Sequence, residues 1–447
     1  MSHYKPYPAY KDSGVEWLER VPEHWQVAPL KRDLSFLTSG SRGWAEHYSE
    51  IGALFLRIGN LRRESLELDL SDIQFVEVPA GAEGERTKVL AGDVLFSITA
   101  YLGSVAVVPE GFDAAYVSQH VALARIAGNF LSPNWVGYVA LSWVGKTYLE
   151  SQGYGGTKIQ LSLDDIANMV MTVPSSKEQE TAVHYLDRET ARIDALIEKK
   201  TRFIELLREK RQALITHAVT KGLDPNAKMK DSGVEWLGEV PEHWEVLQLR
   251  HTARLESGHT PSRSKPEYWI DCTVPWFTLA DVWQVRSGEQ KYVSETSEMV
   301  SQLGLENSSA RLLPAGSVFL SRTASVGFTG IMAVDMATSQ DFAVWTCTSE
   351  LFNEYLYYVL LGMKPDFDRL MMGSTHKTIY MPDIEAIRIA RPPVDEQQGI
   401  VSVLSGQLGR FKSVIDKTER SIDLLKERRS ALITAAVTGL IDLREAV

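Results

Sequence analysis

The run EQETAVHYLDRETARIDALIEKKTRFIELLREKRQALITHAVT, residues 178–220, decides how the rest of the chain is read. Its apolar residues fall at Val183, Leu186, Ile193, Ile197, Ile204, Leu207, Leu214 and Ala218. Intervals of three, four and seven mark the seam of a helix packed lengthwise on another helix. Charged residues such as Arg188, Glu189, Lys199, Lys200, Glu205 and Glu209 fill its other faces. Ser175 followed by Glu178 reads as a capping box, and Gly222 with Pro225 as the stop. At ~1.5 Å per residue, about 40 residues form a rod of roughly 60 Å. Such a rod cannot bury its seam alone.

The same chain carries a partner. Shifted by 218 residues, the seam returns at Val401, Leu404, Leu408, Phe411, Ile415, Ile422, Leu425, Leu432 and Ala436. The ends match too: Arg211-Gln-Ala-Leu-Ile-Thr is echoed by Arg429-Ser-Ala-Leu-Ile-Thr, and each is followed by Ala-Val-Thr. Two register-matched copies predict an intramolecular two-helix coil rather than a local bundle helix.

A second repeat lies ahead of each helix. KDSGVEWLERVPEHWQVAPL (residues 11–30) returns as KDSGVEWLGEVPEHWEVLQL (residues 230–249). Trp17, Trp25, Trp236 and Trp244 read as buried anchors, and Pro22 and Pro241 as turn setters. His24 and His243 lack the H-E-x-x-H setting of a metal helix and read as structural. After each anchor come about 140 residues of short β-type runs: 53–58, 93–98, 105–108 and 121–126 in the first head, and 274–279, 317–322, 330–334 and 342–346 in the second. Helical stretches at 133–150 and 351–372 follow. Then come the glycine loops Gly153-Tyr-Gly-Gly-Thr-Lys and Gly373-Ser-Thr-His-Lys, and a closing strand with proline. Anchors and helices barely differ between copies, whereas the heads diverge. A scaffold alike at both ends and carrying two different heads suits an extended, roughly two-fold ligand, and duplex DNA is the obvious one.

With 447 residues, the chain has room for two or three domains. Cys272 and Cys347 are too few for a disulfide framework. No signal-peptide core and no run of 18 apolar residues is present, so a cytoplasmic protein without a membrane span is expected. A net charge of −11 argues against coating nucleic acid through bulk electrostatics, while leaving local basic grooves open. Catalytic signatures are missing. Neither an N/D-P-P-Y/F element nor a glycine-rich AdoMet turn is found, and Gly145-Lys-Thr lacks the first glycine and strand-to-helix setting of a P-loop. Pro365-Asp366 and Pro382-Asp383 have no downstream acidic-x-Lys partner for nuclease chemistry. The chain reads as non-catalytic.

The anchor with VPEHW, the SQ elements Ser118-Gln119 and Ser339-Gln340, the G-x-T loop and the EQ-opened helix ending in ALIT-x-AVT resemble the specificity subunits of type I restriction-modification enzymes. The resemblance covers nearly the whole chain. It implies an α+β fold of two α/β target recognition domains in tandem, separated by two long helices that pair as an antiparallel coiled coil with pseudo-two-fold symmetry. The expected division is 1–175 (first recognition domain), 176–222 (central helix), 223–392 (second recognition domain) and 393–447 (distal helix). The function implied is recognition of a bipartite site in double-stranded DNA, directing adenine methylation or restriction. The partners implied are two methyltransferase subunits carrying AdoMet and two restriction subunits using ATP and Mg²⁺; this chain itself would hold no cofactor or metal.

Base edges are read by Arg, Asn, Gln, Ser and Thr, and phosphates by Lys, Arg and backbone N–H groups. The candidates in the first head are Arg57, Asn60, Arg62, Arg63, Thr99, Tyr101, Gln119, His120, Tyr154, Thr157 and Lys158. In the second they are Thr278, Asp281, Arg286, Arg322, Thr323, Ser325, Gln340, Thr375, His376 and Lys377. The first head departs from the family pattern S-R-x-x-S-x-G, with Ile98 where the second has Arg322, and Asp341 stands where the first has His120. Residues 31–175 carry eleven basic and sixteen acidic groups, so the methyltransferase subunits are expected to supply most phosphate contacts. Two other readings compete: a bivalent protein-interaction scaffold without nucleic acid, and a stand-alone DNA-binding regulator, for which no helix-turn-helix signature is evident.

Overall fold

Ser175 starts the central helix as its spacing predicts. Its N–H and hydroxyl donate to Glu178 Oε2 at 3.1 and 2.8 Å, and Glu178 N–H donates back to Ser175 Oγ at 3.3 Å. Reciprocal capping satisfies donors that the first turn leaves open. The helix runs Ser176–Lys221 and ends at Gly222, whose φ of +74° suits glycine. The distal helix runs Val394–Val437 and stops at Gly439, also with φ +74°. The computed structural model describes residues 4–40, 42–78, 82–155, 159–371 and 378–445, with the side chains of 82 and 83 excepted.

The chain divides into two compact units, residues 1–201 with 419–447, and residues 202–418. In the first, the anchor forms an antiparallel hairpin, Tyr10–Asp12 with Arg20–Pro22. The last strand of the anchor, Gln26–Pro29, then pairs with Val170–Val173, so the head is closed by the strands that enter and leave it. Between them lies a four-stranded antiparallel sheet in the order Leu34–Ser39, Val121–Ile126, Val94–Ser97, Val105–Val107. A second sheet joins Ala115–Val117 in parallel to Ala53–Leu56, continued by Phe75–Val76 and Tyr48–Ser49.

The second unit repeats the plan. Met229–Asp231 pairs with Glu239–Pro241, and Glu245–Gln248 with Arg388–Arg391. One sheet runs Ala253–Ser257, Phe342–Cys347, Val318–Ser321, Thr329–Met332, Tyr292–Val293; the other runs Glu298–Val300, Val274–Phe277, Ala337–Thr338. The fold is mixed α/β with long helices, as expected.

Each unit has its main core where anchor, head and long-helix ends meet. In the first, Trp25, Trp135 and Leu30 are buried with Val183 and Leu186 from the central helix and Leu432, Ala435 and Ala436 from the distal one. Arg429 Nε pairs there with Asp194 Oδ1 at 3.0 Å. In the second, Trp244, Leu249 and Tyr355 are buried with Ile215, Ala218 and Val219 and with Ile400, Val401 and Leu404. Large indoles at these junctions remove much apolar area from water. Two anchor tryptophans correct the sequence reading. Trp17 and Trp236 are only half-buried; Leu18 and Leu237 take the interior places beside them.

The predicted helical stretch 133–150 is two helices, Pro133–Leu141 and Trp143–Ser151. Ser142 breaks it by capping the second, its Oγ accepting from Gly145 N at 3.1 Å. Gly145 lies where a Cβ would come within 2.1 Å of Val139 O, so this glycine serves close packing rather than a phosphate loop. The stretch 351–372 is likewise divided, into Asn353–Gly362 and Lys364–Leu370.

Each EQ motif has a structural cause. Gln179 is buried; its Oε1 accepts from Ser132 N at 2.9 Å, and its Nε2 donates to Phe130 O at 2.7 Å and Pro174 O at 3.1 Å. Gln397 does the same with Phe352 N at 2.7 Å, Glu350 O at 2.9 Å and Pro392 O at 2.8 Å. One carboxamide thus fastens head, closing strand and long helix in each unit. His24 and His243 are structural too, bonded to Glu178 and Glu396 at 2.8 Å each.

Candidate nucleic-acid interface

Two turns on neighbouring strands recur in both units. The first leaves the strand Val94–Ser97 through Thr99-Ala100-Tyr101, or Val318–Ser321 through Thr323-Ala324-Ser325. Ala100 and Ala324 sit at φ +60° and +57°, a left-handed conformation unfavourable for a residue with a Cβ. Across the turn, Tyr101 N donates to Thr99 O at 2.7 Å and Ser325 N to Thr323 O at 2.6 Å. The second turn is the SQ element, between Ala115–Val117 and Val121–Ile126, or between Ala337–Thr338 and Phe342–Cys347. Main-chain bonds join the two turns, from Ile98 N to His120 O at 3.1 Å and from Arg322 N to Asp341 O at 2.9 Å. In both SQ elements the serine is buried and the glutamine exposed.

In the first unit, Tyr101 is 58% exposed and Tyr154 is 57% exposed. Tyr154 exchanges main-chain bonds with Gln160 at 3.0 and 2.8 Å, and Gln160 also bridges Thr99. This places Tyr154, Gln160 and Thr99 side by side. Gln160 was absent from the sequence candidates, although it lies two residues beyond the glycine loop. The Arg63 guanidinium lies 5.8 Å from the Tyr101 ring centre and 3.9 Å from Glu150. Arg57 pairs with Asp72 at 3.0 Å, and Arg62 with Glu67 at 3.5 Å. These arginines are therefore locally neutralised. Lys146 donates to Arg63 O at 2.7 Å, and burial pushes its ammonium below the usual lysine range. Gln119 Nε2 lies 3.1 Å from His120 Nε2.

Asn60 and Asp281 occupy matching positions and do not face outward. Asn60 is 3% exposed; its Oδ1 accepts from Arg57 N at 2.8 Å, and its Nδ2 donates to Asp69 O at 2.8 Å and Asp72 O at 3.0 Å. Asp281 is 1% exposed and accepts from Thr278 N at 2.9 Å and Ser297 N at 2.7 Å. Thr278 is its capping partner, its hydroxyl 3.2 Å from the same carboxylate. In this geometry these three side chains are spent on a short helix start. Ile98, the counterpart of Arg322, is a core residue.

In the second unit, Arg286 is exposed beside the Phe328 ring, 5.7 Å from its centre. Trp283, 68% exposed three residues earlier, is a large apolar surface the sequence reading passed over. Thr323 bridges Thr378, and Arg322 Nη2 donates to Gln340 O at 2.7 Å. Thr157, Lys158, Thr375, His376 and Lys377 lie outside the described residues. Among the described residues, no group of three or more His, Cys, Asp or Glu is gathered as a metal site would require.

Residues 241–421 match the family described as the type I restriction modification DNA specificity domain. Over those residues the chain is similar to a type I specificity domain. Its similarity to type I specificity subunits extends further than that match. A putative type I restriction enzyme MjaX specificity subunit from Methanocaldococcus jannaschii is 21% identical over 447 residues, 97% of this chain and 98% of that protein. The MjaIX specificity subunit of the same organism is 26% identical over 193 residues, 43% of each chain. Two solved structures share the fold at 16% identity. One, from work on complex assembly and conformational transition of the type I R-M system, has a TM-score of 0.71 and covers 93% of this chain and 98% of its own. The other, the HsdS subunit from Thermoanaerobacter tengcongensis, has a TM-score of 0.54 and covers 94% and 98%. The resemblance to type I specificity subunits drawn from the anchors, SQ elements and helix ends therefore holds. No helix among the described residues is long and apolar enough to cross a membrane.

Proposed function

We propose that this chain is the DNA-specificity subunit of a type I restriction-modification complex and reads a bipartite duplex site. One half-site falls to each unit, with an unread gap between. The observation that carries the reading is the repetition of one outward apparatus, the alanine turn beside the SQ turn, on two units whose surface side chains differ. Equal frames with unequal side chains are what two different half-sites require. The two long helices, taken as an antiparallel coiled coil, would fix the gap, and the recognition domains would follow the division 1–175 and 223–392.

The chain's role in this reading is non-catalytic. Two methyltransferase subunits bringing AdoMet would methylate adenine, and restriction subunits using ATP and Mg²⁺ would translocate and cleave unmodified DNA. The neutralised arginines of the first unit agree with partners that supply most phosphate contacts, since counterion release needs uncompensated charge.

Co-expression with a type I methyltransferase subunit from the same genome in a methylation-free host, followed by modified-base sequencing, tests the proposal. A bipartite motif with methyladenine on each strand is expected. A stable complex that leaves the genome unmodified would sink it. Inserting one helical turn between Lys199 and Arg211 should change the gap and leave both half-sites intact.

A further inference from the structure

The SQ turn of the second unit is held in a way its counterpart is not. The strand Ala253–Ser257 ends at Gly258, where a Cβ would lie 2.1 Å from Thr338 O and 2.2 Å from Ser339 O. Only glycine lets the chain pass this close beneath the turn, and His259 N donates to Thr338 O at 3.0 Å as it does so. Two residues on from Gly258, the Thr260 hydroxyl donates to Gln340 Oε1 at 2.7 Å. From the other side, Arg322 Nη2 donates to the Gln340 main-chain carbonyl at 2.7 Å, and Arg322 N to Asp341 O at 2.9 Å. The Asp341 carboxylate turns inward and accepts from Ser339 Oγ at 2.9 Å.

Gln340 is exposed, so fixing it costs rotamer freedom without burying apolar area. The clamp leaves a defined pattern. The amide nitrogen has no hydrogen bond among the described residues, and Oε1 keeps a second lone pair, so a donor and an acceptor stand side by side in a set orientation. That pair complements the major-groove edge of adenine, which offers the N7 acceptor beside the N6 amino donor. A guanine edge, with two acceptors, would use only half of it.

Among the described residues, the first unit keeps the frame and lacks the clamp. Gly40 makes the same close approach, 2.0 Å from Val117 O and 2.2 Å from Ser118 O. Arg42 stands where Thr260 would be, and Ile98, 8% exposed, where Arg322 would be. The clamp is therefore a property of one reading head rather than of the fold.

We propose that Gln340 reads an adenine in the half-site of the second unit, with Thr260 and Arg322 as its positioning residues. This rests on the DNA-specificity reading above, and it gives Arg322 a role in place of the phosphate contact its residue type suggested.

The test is modified-base sequencing of methylation-free hosts co-expressing the methyltransferase with wild type, Gln340→Ala or Thr260→Val. One adenine position in one half-site should lose discrimination by ~10-fold or more in Gln340→Ala. The same position should relax partially in Thr260→Val, and the other half-site should stay intact as a control on folding. Should Gln340→Ala leave no modification, Thr260→Val decides. Relaxation at a base other than adenine, or no change in either variant beside a clear wild-type motif, overturns the Gln340 assignment alone. A wild type without a motif overturns the underlying reading as well.

Discussion

Replacing Gln397 by leucine, which is close in volume, would remove three hydrogen bonds at the junction of head, closing strand and helix. Phe352 N–H and the carbonyls of Glu350 and Pro392 would lose their partner. Each such bond is worth about 1 kcal/mol net, so the loss should be near 3 kcal/mol. For a unit of residues 202–418, 1 kcal/mol corresponds to roughly 2–4 °C, which gives a fall in melting temperature of about 6–12 °C. Differential scanning calorimetry would measure it, and hydrogen exchange at the Phe352 amide would place it. Gln397→Glu should be worse, because a carboxylate would face two carbonyl oxygens in a buried site. Gln179→Leu should do the same to the first unit. A melting point within about 1 °C of wild type for Gln397→Leu, or a Gln397→Glu protein as stable as wild type, would refute the clasp.

Three further outcomes follow from the geometry. Ala324→Gly should stabilise the second unit by up to about 1 kcal/mol by relieving a left-handed alanine, and Ala324→Val should destabilise it, as read by thermal melts. Burial opposes ionisation of Glu178, but hydrogen bonds from His24 and Ser175 outweigh it and hold the carboxyl below the usual range. Its contribution is therefore complete above the unfolded value near 4.5 and lost as pH falls through the lower folded value; Glu178→Gln should flatten that acid limb of the melting curve. In the first unit, Asp442 N donates to Lys5 O at 2.8 Å and Tyr10 Oη to Gly439 O at 2.9 Å, so the segments 5–10 and 439–442 lie together. A chain joined there by a short linker and reopened between Gly222 and Met229 should fold and give cooperative melting by circular dichroism.

The helices were legible because their determinants are local: a seven-residue seam, a Ser-x-x-Glu cap and a terminal glycine. Burial of particular anchors was not, since Trp17 and Trp25 are the same residue type and only packing distinguishes them. Ser142 was hidden by the apolar run around it, where a cap competes with helix propensity. The S-R-x-x-S-x-G pattern and the SQ elements pointed to the interface, yet side-chain direction could not be read from them. Asn60 and Asp281 look like readers by type, although Thr278-x-x-Asp281 does have the spacing of a cap. Thr260 could not be found at all, because it meets Gln340 across 80 residues of sequence.

The central claim is that each unit reads its own half-site. The direct measurement is to exchange residues 250–387 for the matching segment of a relative, co-express the hybrid with the methyltransferase, and map the methylated motif. One half-site should change while the other half-site stays as in wild type. A hybrid that methylates with both half-sites altered, or with neither altered, would contradict the account.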